Sequence, residues 1–430
     1  MQILFDNYYY KEDVNTTFTY DFEVPKGAER IEVFIEVEQP PKPNHGRPDL
    51  VGVGLKHKEK LRAWNCTHRK YLMLTEEFGT PGTLPGEIEE GKWQLVVFPR
   101  TKNEIQRVRV VAKVVITLKH YRFVAGDTHM HTVHSDGRLS IPETIQSAKE
   151  VGLEFIFITD HNIASANQSL PCDQEILVAP GVEYGLEAGH VGMLGVATPI
   201  EDFTWDPQWE CYEWHLKEAK EKGCGIGINH PFCNDSPWLK DFEQPVDWIE
   251  IWNGMWRPVN EKAVQWWHQQ LLQGKKIPVV GGSDCHGPGI FRGHGIPTTH
   301  LYTQQLTTES LVEAMKNGKV YITLNNQCPK LNLYTEHNVL GDTTLDREVH
   351  IELMNLNIGD VLHVITNENE EIILLEDRAY CKKVIIQNEK FVRIEVKRLL
   401  EFNEDGFDCE GWVTILLSNP IYFAGGNGNE

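Results

Sequence analysis

The stretch Gly126-Asp127-Thr128-His129-Met130-His131-Thr132-Val133-His134-Ser135-Asp136-Gly137 gathers three histidines and two aspartates into twelve residues. Residues two apart in an extended strand point to the same side, so His129 and His131 can offer two imidazoles to one ion. Asp136 follows after a turn marked by Ser135 and Gly137. By itself an H-x-H is weak in a chain with 18 histidines, many of which serve as surface or satisfied core residues. The signal grows because similar residues close later apolar runs. His161 follows Phe155-Ile156-Phe157-Ile158-Thr159-Asp160. Glu183 follows Ile176-Leu177-Val178-Ala179 and Pro180-Gly181, and His190 opens the next run. His230 ends Gly225-Ile226-Gly227-Ile228-Asn229, and Asp284 and His286 end the run that begins at Ile277. These are imidazoles and carboxylates with no thiolate required, a set that suits Zn, Mn or Fe. Each has a bland alternative as a core histidine or a helix cap. The nine together predict a polynuclear metal site.

The elements that must position these residues fall into three zones. Residues 1–122 alternate in the manner of short strands, as in Arg30-Ile31-Glu32-Val33-Phe34-Ile35-Glu36-Val37, with turn clusters such as Gln39–Asn44 and Gly79–Gly86 between them. That texture predicts an antiparallel β-sandwich. No catalytic cluster is apparent there, and His45, His57 and His68 read as surface residues. Residues 123–325 alternate apolar strands with amphipathic helices, in about seven β/α steps. One helix is predicted from Ile141, with Ser140 as N-cap and Pro142 in its first turn. Others are expected around 209–222, 260–273 and 308–317. This pattern suits a barrel, which gathers the C-terminal ends of its strands into one ring where active sites sit. Residues 326–424 return to β, with runs at 349–353, 361–365, 392–396 and 412–417, and predict a second β-sandwich. The glycine-rich tail, 425–430, is expected to be disordered.

Composition limits the function. A length of 430 residues fits two or three domains, and a hydrophobic fraction of 41% is enough for sizeable cores. The formal net charge of −21 argues against binding extended nucleic acid, which needs clustered Lys and Arg. Nine cysteines with irregular spacing and no C-x-x-C read as reduced cytosolic thiols. The N-terminus carries no signal-peptide pattern and no run approaches a membrane span, so a cytoplasmic protein is expected.

The segments H-M-H-x4-D, I-T-D-H-N, P-G-V-E, N-H-P and G-G-S-D-C-H resemble the polymerase and histidinol phosphatase (PHP) superfamily of metal-dependent phosphoesterases, with all nine of its usual ligand positions filled. Pro81–Gly86 and Gly91-Lys92-Trp93, followed by Ile249-Glu250-Ile251-Trp252-Asn253-Gly254 in the barrel, look like the CehA/McbA branch, named for carbaryl-hydrolysing enzymes. The resemblance implies a distorted (β/α)7 barrel flanked by the two β domains and holding three divalent metal ions. By the same likeness His129, His131, Glu183 and Asp284 would hold the first ion. Glu183 would bridge to a second, bound by His190 and His230, and Asp136, His161 and His286 would hold the third. A metal-bridging hydroxide would then be the nucleophile. Asp127 and Asp160 are open to two roles, as acceptors orienting ligand imidazoles or as structural caps.

The expected substrate is a small phosphate ester, more a glycerol-, sugar- or nucleoside-linked diester than a monoester. Arg257 and Arg292, in loops after barrel strands, are candidates for bidentate phosphoryl contact, and His134 and His294 for protonating a leaving group. Each is open to a surface role instead. Trp205, Trp209, Trp214, Trp238, Trp248, Trp252, Trp256, Trp266 and Trp267 are mostly expected to pack, with Trp256 and Trp238 also placed to wall a pocket. Cys285 alternates away from Asp284 and His286 and is expected to pack. The glycines at 223–227 follow no phosphate-loop template. Two other readings stand beside this one: hydrolysis of a carboxylic or carbamic ester, and a metal-stabilised scaffold that binds a glycan or a protein. The β domains are open to self-association or to covering the barrel mouth, and the sequence does not choose.

Overall fold

The computed structural model describes residues 2–38, 50–66, 69–100, 107–172, 174–186, 188–203, 211–287, 289, 293–400 and 411–424. The expected turn cluster at 39–44, the expected tail disorder at 425–430, His45, His68, Trp205, Trp209 and Arg292 lie outside the described residues.

Contacts divide the chain into two compact units. The first, Met1–Tyr121 with the short pieces Pro171–Leu177 and Gln304–Thr307, holds strands β1 (Gln2–Tyr9), β2 (Phe18–Val24), β3 (Ala28–Glu38), β4 (Leu50–His57), β5 (Lys60–Cys66), β6 (Tyr71–Leu74), β7 (Gly91–Arg100) and β8 (Val108–Leu118). They form two four-stranded antiparallel sheets in the orders β1-β8-β3-β6 and β2-β7-β4-β5. Alternation sends Ile31 and Val33 of one sheet and Val53, Leu55, Trp93 and Leu95 of the other into a common core. Full burial of each such aliphatic side chain contributes roughly 1.5–3 kcal/mol. His57 departs from the surface role expected of it: it is 5% exposed and stacks on Trp93 at 4.7 Å.

The second unit begins with β9 (Arg122–Asp127), α1 (Ile141–Glu150), β10 (Phe155–Ile158), β11 (Leu177–Leu186), β12 (Gly189–Leu194), α2 (Tyr212–Glu221), β13 (Gly225–Asn229), β14 (Trp248–Asn253), α3 (Pro258–Leu272) and β15 (Val279–Gly282). It continues with β16 (Thr298–Thr303), α4 (Thr308–Lys316), β17 (Val320–Thr323), β18 (Lys330–Tyr334), β19 (Thr343–Thr344), β20 (Glu348–Met354), β21 (Val361–Thr366), β22 (Glu370–Leu374), β23 (Ala379–Ile385), β24 (Phe391–Leu400), β25 (Gly411–Ser418) and β26 (Ile421–Phe423). Strands β9 to β15 lie side by side in chain order, parallel at β9–β10, β13–β14 and β14–β15 and antiparallel on both sides of β12. Beyond the ends of β9 and β15 the chain pairs again. Asp284 N donates to His129 O (2.8 Å) and His131 N to Cys285 O (3.0 Å), a parallel bridge that brings the first and last segments of predicted ligands together.

On its other edge β9 pairs with β16, a strand the sequence reading did not anticipate, and the path runs on through β17 to β25, β24, β21 and β22. Hydrogen bonding is therefore continuous from the α/β part into the C-terminal strands, and a separate three-stranded sheet, β18-β20-β23, lies beside them.

Local sequence explains the elements that carry the site. The four residues of β10 are all apolar and all buried, as a strand covered on both faces requires. α1 starts where Ser140 predicts, with Ser140 N donating to Glu143 Oε2 at 2.9 Å. The glycines of β13 have a packing reason: a Cβ on Gly227 would lie 2.0 Å from Trp248 Nε1, and one on Gly225 2.4 Å from Trp248 Cη2. They are the seat of a fully buried indole.

Candidate metal centre

The nine predicted ligands stand at or just beyond the ends of β9, β10, β13 and β15 and within β11 and β12. The structure brings them together. Glu183, 0% exposed, is the hub. Its Oε1 lies 3.0 Å from His230 Nε2 and 3.1 Å from His190 Nδ1, while its Oε2 lies 3.1 Å from His129 Nε2 and 3.2 Å from both His131 Nε2 and His161 Nδ1. Asp284 Oδ1 adds contacts of 3.1 Å to His131 Nε2 and 3.5 Å to His129 Nε2 and His286 Nδ1. Asp136 sits at the outer edge, 3.3 Å from His286 Nε2 and 3.8 Å from His161 Nε2.

Among the described residues, four groupings place their donor atoms within reach of one ion: His129, His131, Glu183 and Asp284; His161, Glu183 and His190; His131, Asp136, His161 and His286; and His129, His230 and Glu250. Two observations say that these atoms fit a cation. Glu183 Oε2 and Asp284 Oδ1 are buried without a hydrogen bond of acceptable geometry, although ring nitrogens surround both. Also, His129 Nε2 and His131 Nε2 lie 3.2 Å apart, so two lone-pair atoms converge on the same carboxylate oxygens. Imidazole nitrogens and carboxylate oxygens crowded together, with Glu183 Oε2 and Asp284 Oδ1 left without a hydrogen bond, are what a metal ligand set presents.

Electrostatics agree. Burial opposes charge on Glu183, yet the imidazoles of His129 and His190 hold its carboxyl well below the usual range. Burial likewise works against a charged His131 or His230, but Asp284 and Glu183 at His131, and Glu183 at His230, push each up to about 9. His161 goes the other way, to about 4, because desolvation outweighs Glu183. A cluster that attracts protons this strongly is one in which a divalent cation can take their place.

Backbone strain is concentrated here too. His230 (φ +28°) and Asp284 (φ +51°) occupy the left-handed region, as does Asn162 (φ +54°) directly after His161. Each costs on the order of 1 kcal/mol. Asn162 offsets this by pairing with the Gly185 backbone, Oδ1 accepting at 2.9 Å and Nδ2 donating at 2.8 Å.

Glu250 is the residue that the sequence reading missed. Only 2% exposed, it receives His129 Nδ1 at Oε1 (3.0 Å) and both His230 N (2.9 Å) and Asn253 Nδ2 (3.2 Å) at Oε2. The signal was a lone acid inside the apolar strand Trp248-Ile249-Glu250-Ile251-Trp252, since a carboxylate is buried only when it is paired. Asp127 and Asp160 do not orient ligand rings. Asp127 accepts from the amides of Ser283 (3.0 Å), Gly295 (2.7 Å) and His129 (3.3 Å). Asp160 accepts from Thr132 N and Oγ1 (2.8 Å each) and from Ser135 Oγ (2.6 Å). Both fix the loops that carry the ligands.

A cavity of ≈ 350 Å³ opens onto the cluster, lined by Glu183, His161, His190, His230, Asp284 and His286 and also by Cys233, Asp235, Ser236, Asn253, Met255 and Arg257. Arg257 also lines it, held by Nη2 donating to Asn253 Oδ1 (3.1 Å). The other singled-out residues lie elsewhere. His134 is half-buried against Ser165 (3.0 Å) and His294 is buried against Ser147 of α1 (2.9 Å), and neither lines the cavity. Trp238 and Trp256 do not wall it either. Trp238 is buried with Nε1 donating to Asp241 O (3.1 Å), and Trp256 packs edge-on against Trp252 at 4.7 Å. Cys285 is buried in the closing bridge and belongs to none of the four ligand groups.

No known family model matches the chain, and no curated protein matches it in sequence. Solved structures similar to it include a two-domain protein containing a predicted PHP-like metal-dependent phosphoesterase from Bacteroides vulgatus, at 18% identity over 69% of this chain and 96% of that one with a TM-score of 0.39. A lesion-specific endonuclease, EndoQ, from Pyrococcus furiosus shares 17% identity over 50% of this chain and 65% of that one, with a TM-score of 0.36. An amidohydrolase from Chromobacterium violaceum with bound sulfate shares 15% identity over 45% and 96%, with a TM-score of 0.28. At such identities and scores none of them tells what this chain does, and function is argued from the residues of the site.

Proposed function

We propose that the chain is a metal-dependent hydrolase of the PHP type that cleaves a small phosphodiester at a three-ion centre carried on a distorted (β/α)7 barrel. The supporting observation is Glu183, one buried carboxylate whose two oxygens each face a different set of imidazoles, His190 and His230 on one side and His129, His131 and His161 on the other. That is the disposition of a bridging ligand. His129, His131, Glu183 and Asp284 would hold one ion, His190 and His230 with Glu183 a second, and Asp136, His161 and His286 a third. Divalent ions there would supply Lewis acidity, lowering the pKa of water and offsetting phosphoryl charge.

The chain's own groups do the rest. Glu250 fixes the His129 ring. Arg257, braced by Asn253, presents a guanidinium to a non-bridging phosphoryl oxygen. Glu183 and His230 are buried where they line the cavity, and Cys233, Ser236 and Met255 line it beside Asp235, with room for a compact alcohol portion.

Initial rates on bis(p-nitrophenyl) phosphate, p-nitrophenyl phosphate and 1-naphthyl acetate, each with and without chelator, test the proposal. A chelator-sensitive preference for the diester is expected. Preference for naphthyl acetate would replace it with a carboxylester or carbamate hydrolase, and a metal-loaded protein inert towards all three would point to the scaffold reading.

A further inference from the structure

A second cavity, of ≈ 500 Å³, lies where the end of α3 meets the C-terminal strands, and it is built from different residues. Among the described residues, four cations line it: Lys275, Lys276, Arg347 and Lys390. In a chain of net charge −21 such a gathering is against the average. Lys275 is shared with Glu243 at 3.5 Å, but Lys276, Arg347 and Lys390 form no ion pair among the described residues. The one acid among the described lining residues, Glu389, is turned to its own turn, where Oε2 accepts from Gln387 N (2.7 Å) and Asn388 N (3.1 Å).

Two of the cations are held in place. Lys276 Nζ donates to Thr343 Oγ1 (2.7 Å) and lies 5.1 Å from the centroid of Tyr422, and Arg347 Nη2 donates to Ala424 O (2.9 Å) with its guanidinium 5.9 Å from the centroid of Phe423. Neither partner neutralises charge, and each cation keeps further N–H groups to give. Leu271 and Phe391 supply apolar lining between them. Fixed like charges around a half-apolar hollow repel one another until an anion occupies it.

We propose that this cavity binds a small organic phosphate, a doubly charged phosphoryl group on a compact apolar body, separately from the metal cluster. Three unpaired cations favour a dianion over a monoanion, and a guanidinium beside ammonium groups suits phosphoryl oxygens. The apolar lining favours an organic body over inorganic phosphate. The site is independent of the reaction proposed above.

The test is calorimetric titration of the metal-loaded full chain with phenylphosphonate, which cannot be hydrolysed, at pH 8 and low salt, with inorganic phosphate and benzoate as comparison ligands. In Asp284→Asn protein, which lacks the metal centre, one site per chain is expected to remain, and it weakens at least tenfold when Lys276→Met/Arg347→Met is added. The single, exposed Lys276→Met should weaken it severalfold with diester hydrolysis unchanged, which separates lost binding from lost folding. Phenylphosphonate should bind more tightly than either comparison ligand. The proposal is overturned by absence of binding in Asp284→Asn protein, by binding indifferent to both cavity variants, or by benzoate binding equally well.

Discussion

The carboxylate of Glu250 reaches across from β14 to the ring of His129, with Oε1 3.0 Å from Nδ1. With Nδ1–H engaged, the lone pair of Nε2 faces Glu183 and Asp284. A carboxylate behind an imidazole both orients the ring and raises its basicity. Glu250→Gln keeps the shape and removes the charge. Metal affinity is expected to fall by roughly 10–100-fold with the fold retained, as read by competition against a chromogenic chelator. Unchanged affinity would show that Glu250 only fills space.

Gly282 makes that contact possible. A Cβ there would lie 2.3 Å from Glu250 Oε1 and 2.4 Å from His129 Cβ, both closer than side chains tolerate. Gly282→Ala should therefore displace Glu250 from His129 and copy the metal loss of Glu250→Gln. It should also lower the melting temperature, because overpacking a buried strand costs about 1–3 kcal/mol. Wild-type metal content in this variant would contradict the close approach.

Arg257 stands in the cavity on a loop braced by Asn253. Replacing its planar fork with an ammonium keeps charge and loses paired hydrogen bonds. Arg257→Lys is expected to raise KM for the diester about tenfold, a loss of about 1.4 kcal/mol, with metal content unchanged. An unaltered KM would remove Arg257 from substrate binding.

His300 tests the pH dependence of the fold away from the ligands. It is 2% exposed, stacks on Tyr321 at 4.3 Å and meets Thr323 Oγ1 at 2.9 Å. Burial, followed by the charge of Lys330, pushes its pKa well below the ordinary value. Below the unfolded value, about 6.5, the unfolded chain binds a proton that the folded chain refuses. Stability is thus intact above that pH and falls beneath it, by about 1.4 kcal/mol per pH unit for one such group. His300→Gln should flatten the slope of stability between pH 6.5 and 5 by about one proton in denaturant titrations. A slope equal to wild type would contradict this.

Much of the candidate cluster was legible because most of its residues follow apolar runs, and strand ends converge when strands lie side by side. Glu250 was hidden because it stands mid-strand between apolar residues, with no histidine or second acid beside it in sequence. His294 and Trp238 were harder to place for a shared reason: in loops beyond strands, an aromatic ring with a polar edge can turn inward, as these do onto Ser147 and the Asp241 carbonyl. The strand Thr298–Thr303 had its β-branched and aromatic residues in plain view, but it runs antiparallel to β9 outside the β/α rhythm that organised the reading. The pairing of β17 with β25 is non-local and left no trace in local sequence.

The most direct test is elemental analysis of reconstituted, desalted protein alongside turnover of bis(p-nitrophenyl) phosphate. Three divalent equivalents per chain are expected, with activity that disappears on chelation, returns on re-addition, and is lost together with bound metal in Asp284→Asn. Hydrolysis that persists in protein shown to be free of metal, or a wild-type chain that retains none, would contradict a metal-dependent hydrolase built around Glu183.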